Sequence, residues 1–386
     1  MALTYKMVSS MEEVDAAAWD ALGGRSGSPF LSRDWLSALE SSGCVAPETG
    51  WTPKHLTVWD GERLVAGAPL YLKDHSRGEF VFDQEWADVS HRLGVAYYPK
   101  LLGMSPFTPA GAYRFLIDED LDQAMVCAGM LEHIDQFCHD HGVNSCHFLH
   151  VASQWRDQMV ALGVGSWLHH ALVWENHEFK CFDDYLASFN SKRRKSIKRE
   201  RRKVAEQGLV FKAWRGTEVP TEYFALMYFF YAGTCRKFWG WSHYLNQQFF
   251  LQIGRRKPDN VVLIAAIDPK LGEVPVAMSF LVHEGEHLYG RYWGCREEYD
   301  HLHFETCYYQ AIEWAIANGV RYYDAGSGNA GHKQRRGFPA SPKYSLHRHY
   351  DPIMKQVWKD NIQQINEVEQ QRIKLINREI ELPERY

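Results

Sequence analysis

The same run of hydrophobic and polar positions occurs twice along the chain. His55 to Trp59 and Leu64 to Leu72 read as strands flanking Asp60-Gly61, a dipeptide that supplies the positive φ of a hairpin turn. Helical spacing then runs from about Leu121 to His141, stops at Gly142 and gives way to a short apolar strand through Cys146 and Leu149. In the second half, Val261 to Ile267, Val276 to Val282 and His287 to Trp293 form a predicted meander with turns at Asp268-Pro269 and Glu284-Gly285. Phe304, Tyr308, Ala311, Ile312 and Ala315 share one face of a helix predicted to about Asn318, and Gly319-Val320 restarts a strand that ends at Asp324. Any α+β chain can place strands before helices, but the repetition with matching turn and stop signals points to a duplicated unit.

Length agrees with two units. At 386 residues the chain exceeds what one hydrophobic core usually serves. The expected division is 1–180, 181–350 and a helical tail from 351 to 386, in which Ile362, Ile365, Val368, Ile373 and Ile376 alternate with charges. The start runs into Glu12 and Glu13 without a signal-peptide core, and no apolar run has membrane-spanning length, so a cytoplasmic protein without integral membrane association is expected. The eight cysteines contain no Cys-x-x-Cys pair and read as reduced thiols. His139 and His141 near Cys138 and Cys146 suggest zinc at first sight. They lie two apart at a helix end, on divergent faces, so no metal is expected.

Charge changes the picture in one place. The net charge of −5 argues against a protein that coats nucleic acid, yet Lys192 to Lys203 carries nine Lys or Arg against Glu200 alone. That segment is +8 and leaves −13 on the rest. It reads as a helix over 191–207, capped by Asn190 or Ser191 and stopped by Gly208. So much positive charge at a helix start opposes the macrodipole and repels itself. Either acidic neighbours such as Asp183 and Asp184 answer it, or it binds the phosphates of RNA or of a diphosphate-bearing precursor through Arg193, Arg194 and Lys198.

The segment from Gly78 to Arg114 is dense in aromatics, carboxylates and turn residues: Gly-Glu-Phe-Val-Phe-Asp-Gln-Glu-Trp-Ala-Asp, then Tyr-Tyr-Pro-Lys-Leu-Leu-Gly-Met-Ser-Pro-Phe-Thr-Pro-Ala-Gly. With Pro29-Phe30-Leu31-Ser32, Leu70-Tyr71-Leu72-Lys73-Asp74-His75-Ser76, Asp324-Ala325-Gly326, His332-Lys333 and Arg336-Gly337-Phe338, it resembles the FemAB-like family of peptidoglycan biosynthesis or recognition proteins and N-acyltransferases. The resemblance implies an α+β fold of two tandem units of the Gcn5-related N-acetyltransferase (GNAT) type. It also implies acyl transfer from aminoacyl-tRNA or acyl-CoA, with no tightly bound cofactor, to an amine of a peptide or cell-wall precursor. A module that recognises such precursors without catalysis is the contrasting reading.

Transfer to an amine needs a stabilised oxyanion and a group that takes the surplus proton. Asp83 follows Phe80-Val81-Phe82, read as a strand, and resembles in placement the first-domain aspartate of Fem enzymes; it could equally cap the helix that Gln84-Glu85-Trp86 begins. Glu85 lies two residues on, on the same face if the strand continues, and Asp324 ends the strand after the last helix, before Gly326 and Gly328, which give the backbone freedom for a close approach to ligand. Tyr98 and Lys100 are candidate substrate contacts. His332, Lys333 and Arg336 resemble a lysine-containing turn that meets phosphate, although Gln334-Arg335-Arg336 separates Lys333 from Gly337-Phe338. A CoA site would place glycines after the second meander. The chain instead has Cys295-Arg296-Glu297-Glu298-Tyr299-Asp300, which brings three acids there.

Overall fold

The computed structural model describes residues 3–22, 28–110, 113–238, 243–256, 258–326 and 330–378. The chain divides into two compact units: Met1–His170 with Pro342–Gln371, and Ala171–Ser341 with the chain from Arg372 onward. The division is thus discontinuous where 1–180, 181–350 and a separate tail were expected. Two contacts explain the exchange. Residues of the last strand pair with the first unit's sheet, and Met354 and Trp358 of the terminal helix, Pro352–Arg378, join a core cluster with Trp86 and Tyr97.

In the first unit, β1 (Thr4–Val8), β3 (His55–Asp60), β4 (Arg63–Ala68) and β7 (Leu116–Ile117) form a four-stranded sheet in the order β1-β3-β4-β7. Gly61 makes the turn between β3 and β4 with φ of 62°. The second sheet of this unit runs β2 (Trp51–Pro53), β5 (Leu70–Lys73), β6 (Lys100–Gly103) and β8 (Ser145–Val151). Pro69 splits the predicted strand from Leu64 to Leu72 in two, because it has no N–H to give a ladder. The helix Gln123–Asp140, capped by the Asp122 carboxylate, connects β6 to β8, and those two strands pair in parallel.

The second unit repeats that arrangement. After β9 (Gly165–Glu175), strands β10 (Val210–Arg215), β11 (Val261–Ile267), β12 (Pro275–Glu284) and β13 (His287–Cys295) form an antiparallel meander. A helical segment follows, with Leu302–Phe304, a π turn over Glu305–Tyr309 and Gln310–Ala317. It leads to β14 (Tyr322–Asp324), parallel to β13 and antiparallel to the end of β9. In both units, then, a helix ending two residues before a positive-φ glycine, Gly142 or Gly319, crosses between two parallel strands. The last strand, β15 (Ala340–His349), pairs antiparallel with β8 from Tyr344 to His349.

Close approaches fix both sheets. At Gly294 a Cβ would lie 2.1 Å from the carbonyl oxygen of Phe230, so the helix Thr221–Lys237 packs backbone to backbone on β13. At Gly78, with φ of 86°, a Cβ would lie 2.7 Å from the Phe107 ring. Gly78→Ala is expected to destabilise the protein by about 1–3 kcal/mol through that clash and the left-handed backbone, measured as a lowered denaturation midpoint at unchanged slope.

Candidate functional site

Lys73 ends β5 and Lys100 begins β6, and the antiparallel register places them opposite one another. Both are buried, Lys100 at 1 % exposure. An ammonium has three protons to give, and Lys100 gives them to Glu79 Oε2 at 2.8 Å, Asp83 Oδ2 at 2.5 Å and Ser76 Oγ at 2.8 Å. The Tyr97 hydroxyl donates to the same Asp83 oxygen at 2.7 Å. Ser76 is within 2.8 Å of the half-buried Tyr98 hydroxyl, so a chain of hydrogen bonds runs from the ammonium toward the surface. The remaining oxygens, Glu79 Oε1 and Asp83 Oδ1, are buried and have no partner among the described residues. Two carboxylates with free lone pairs inside the protein are a place for a proton, a water or an amine.

Lys73 has a different environment. Its Nζ donates to the Gly50 carbonyl at 2.8 Å and to His75 Nδ1 at 3.1 Å, and lies 4.0 Å from the Trp51 ring centre. His75 Nε2 meets the Thr49 carbonyl, so this imidazole is neutral with its proton on Nε2. Burial pulls the Lys73 amine down to about 7; Glu79 and Asp74 oppose the shift, and Lys100 and Arg77 add to it. Burial pushes the Glu79 carboxyl up to about 7, partly offset by Lys100 and reinforced by Asp83. Burial also works against the Lys100 ammonium, but Glu79 and Asp83 outweigh it and hold the group above its ordinary value.

Several sequence expectations are corrected here. Phe80-Val81-Phe82 is not a strand: Phe80 has φ of 58°, and Phe82 is 77 % exposed. Glu85 consequently lies in the first turn of the helix Gln84–Arg92, exposed and away from Asp83. Asp83 occupies the cap position of that helix, but its side chain makes no capping hydrogen bond and turns to Lys100 and Tyr97 instead. Lys100 bonds to Asp83, and Tyr98 joins the cluster through Ser76. Lys73, Ser76, Glu79 and Tyr97 were not selected; a lysine at an inward strand position after Leu70-Tyr71-Leu72 was the available signal.

In the second unit the candidates turn inward. Asp324 accepts from the Gly326 amide at 2.8 Å, and buried Lys333 donates to the Gly326 carbonyl, so the two fasten one turn. Arg336 is buried, donates to Glu200 at 2.6 Å and to the His332 carbonyl at 2.8 Å, and stacks 3.6 Å from the Phe304 ring centre. A guanidinium so engaged is a clamp between helices, not the open phosphate contact expected of it. His332 packs against Phe304 at 5.0 Å, and Gly328 lies outside the described residues.

The basic helix spans Ser191–Glu206, with Asn190 capping Arg193. Ile197 and Val204 face the core, and Arg201 pairs with Glu305 and Glu313. Arg194 donates to the Phe189 carbonyl at 3.3 Å, and the Arg193 guanidinium lies 5.8 Å from the Phe189 ring. Asp184 is occupied by the amides of Lys180 and Cys181. Lys192, Lys195, Lys198, Arg199 and Lys203 are exposed and form no ion pair among the described residues. In the same unit, β12 and β13 shift register around Arg291, an extra residue, and β13 pairs with β14 only as far as Tyr289 and Asp324.

Among the described residues, no group of three or more His, Cys, Asp or Glu could hold a metal ion, and no helix is long and apolar enough to cross a membrane. The shifted groups yield a stability profile with a defined sign. Glu79 binds more protons folded than unfolded, so its contribution is full below about 4.5 and lost as pH rises to about 7. Lys73 binds fewer, so its contribution is full above 10.5 and lost as pH falls to about 7. Chemical denaturation across this range should show Glu79→Gln flattening the acid-side fall and Lys73→Met flattening the alkaline rise, each by roughly a few kcal/mol. Unchanged limbs would show that neither group titrates as its burial dictates.

No curated protein sequence matches the chain. Solved structures do. FemX is 12 % identical over 92 % of this chain and 100 % of its own, with a TM-score of 0.54. L-PGS from Bacillus licheniformis is 11 % identical over 97 % and 99 %, with a TM-score of 0.53. The C-terminal domain of a putative lysylphosphatidylglycerol synthetase from Agrobacterium fabrum is 9 % identical over 90 % and 95 %, with a TM-score of 0.54. These likenesses show the fold, a tandem of GNAT-like units with a C-terminal helix. The profile of one family, described as peptidoglycan biosynthesis/recognition, matches residues 10–383, and the chain belongs to that FemAB-like family.

Proposed function

We propose that the protein is an N-acyltransferase that moves an aminoacyl or acyl group onto an amine of a peptide or cell-wall precursor, with aminoacyl-tRNA as donor. The carboxylate pair at Lys100 carries this reading. An ammonium acceptor and an ester donor give an amide, an alcohol and one proton, and that proton needs a base. Asp83 and Glu79 offer unpartnered oxygens at the end of a hydrogen-bonded chain that starts at Tyr98, a surface contact for the acceptor. Asp83 takes the proton directly or through water, and Lys100 keeps the resulting charge balanced. The family description supports a cell-wall acceptor.

Charge favours the tRNA donor. Five exposed, unpaired cations on one helix suit a polyphosphate chain, since acidic neighbours do not answer them. Acyl-CoA is the second reading, and Glu297, Glu298 and Asp300 after β13 oppose it where a pyrophosphate would sit.

Single-turnover assays with charged tRNA and with acyl-CoA, each with a peptide-amine acceptor, test the activity. Asp83→Asn should lower kcat on the order of 100-fold with little change in acceptor affinity. A recognition module would instead bind precursor and turn over neither donor. Replacing Lys192, Lys195, Lys198 and Arg199 with Gln should weaken tRNA binding and flatten its salt dependence, because fewer counterions are released. Unchanged affinity and slope would remove the tRNA reading.

A further inference from the structure

Behind the Lys100 cluster, in the same unit, lies a row of buried polar side chains with no role in the reaction described so far. His147 on β8 and His347 on β15 face each other with Nδ1 atoms 2.7 Å apart. His347 Nε2 is 2.7 Å from Ser345 Oγ, and Ser345 Oγ is 2.7 Å from His169 Nε2 on β9. His147, His347 and Ser345 are buried, whereas His169 is half-buried. Trp358 stacks on His347 at 4.6 Å, and Tyr97, which donates to Asp83, packs over His147 at 6.2 Å. His147 Nε2 is buried without a partner among the described residues.

Counting protons gives the row its meaning. Burial lowers the His147 and His347 pKa values well below the ordinary one, and the neighbouring imidazoles and Lys100 lower them further, so both rings are neutral. Burial likewise lowers His169 to about 4; Glu369 opposes the shift, and Lys343 and His170 add to it. Three neutral imidazoles and one hydroxyl carry four protons for three hydrogen bonds, so one proton stands outside the row. With every bond pointing one way, it sits on His147 Nε2, at the buried end. With every bond reversed, it sits on His169 Nδ1, at the half-buried end. The two arrangements differ by one proton having crossed the row, and neither contains a charge.

We propose that His147, His347, Ser345 and His169 form a proton path that drains the carboxylate cluster to the surface. A proton leaving Asp83 or Glu79 passes through a buried water to His147 Nε2; His147 gives its Nδ1 proton to His347, His347 gives its Nε2 proton to Ser345, Ser345 gives its hydroxyl proton to His169 Nε2, and His169 releases its Nδ1 proton to solvent. One proton enters and one leaves, and each ring ends the passage as its other tautomer. The groups facing it are Lys100 and His349 at the inner end, and Lys343, His170 and Glu369 at the outer end.

This inference rests on the acyl-transfer reading, and its test separates the two. Ser345→Ala cuts the path in the middle, whereas Ser345→Thr keeps a hydroxyl. In single turnover, Ser345→Ala should lower kcat about tenfold or more at unchanged KM and change the solvent isotope effect, and Ser345→Thr should restore both. Equal rates, pH profiles and isotope effects in Ser345→Ala and the unmodified protein would overturn the path. Nitrogen NMR of the histidine rings in the resting protein gives a readout free of activity. Lowering pH until His169 protonates should move the His347 and His147 ring signals in the unmodified protein and not in Ser345→Ala. Independent titration of the three rings would also overturn the path, whether or not either donor is used.

Discussion

One ammonium organises the first unit. Lys100 begins a strand in the interior, where an unpaired charge would be prohibitive, and each of its three protons meets a separate oxygen. Two of those oxygens belong to the loop after Gly78, which is thereby tied to the sheet although Phe80 holds a left-handed backbone and Phe82 is turned out to solvent. Tyr97 completes Asp83, and its ring covers His147. The loop, the half-exposed Tyr98 and the buried histidines are all positioned from that single charge.

The same logic separates the two units. In the first, three protons meet the four oxygens of Glu79 and Asp83, two of them on the same Asp83 oxygen, and each carboxylate keeps one oxygen without a partner among the described residues. In the second, Arg336 and Arg201 consume Glu200, Glu305 and Glu313 in a network that fastens helices together, with Arg336 Nε buried and without a partner among the described residues. The outward side of the basic helix escapes this neutralisation. Self-repulsion among its exposed lysines is tolerable only because water solvates them, and it makes that face responsive to any anion that displaces the water.

Much of the fold was legible because its signals are local. Asp60-Gly61, Gly142 and Gly319 mark turns and helix ends, and the helix before Gly142 carries unbroken apolar spacing. The exchange of terminal segments was not legible: β15 pairs with β8, almost 200 positions away, and no local pattern encodes a partner so distant. The candidate site divides the same way. Asp83, Tyr98 and Lys100 stand out within a dense motif, but Glu79 and Lys73 acquire meaning only when the register sets Lys73 opposite Lys100. Glu85 was misplaced because Phe80 takes a positive φ, which no preference of phenylalanine announces. Lys333 and Arg336 were visible as charges, while their burial depends on Glu200 and Gly326.

The π turn over Glu305–Tyr309 sets the phase of everything after it. A π turn holds one residue more than the α-helix it interrupts, and each residue of an α-helix advances it by about 100°. Without that extra residue, Ala311, Ile312 and Ala315 would rotate off the core, while Glu305 would lose its alignment with Arg201. The segment therefore tolerates changes of side chain far better than changes of length, and an insertion or deletion accepted in a neighbouring loop would here scramble a helix face whose π turn packs against β11 and β12.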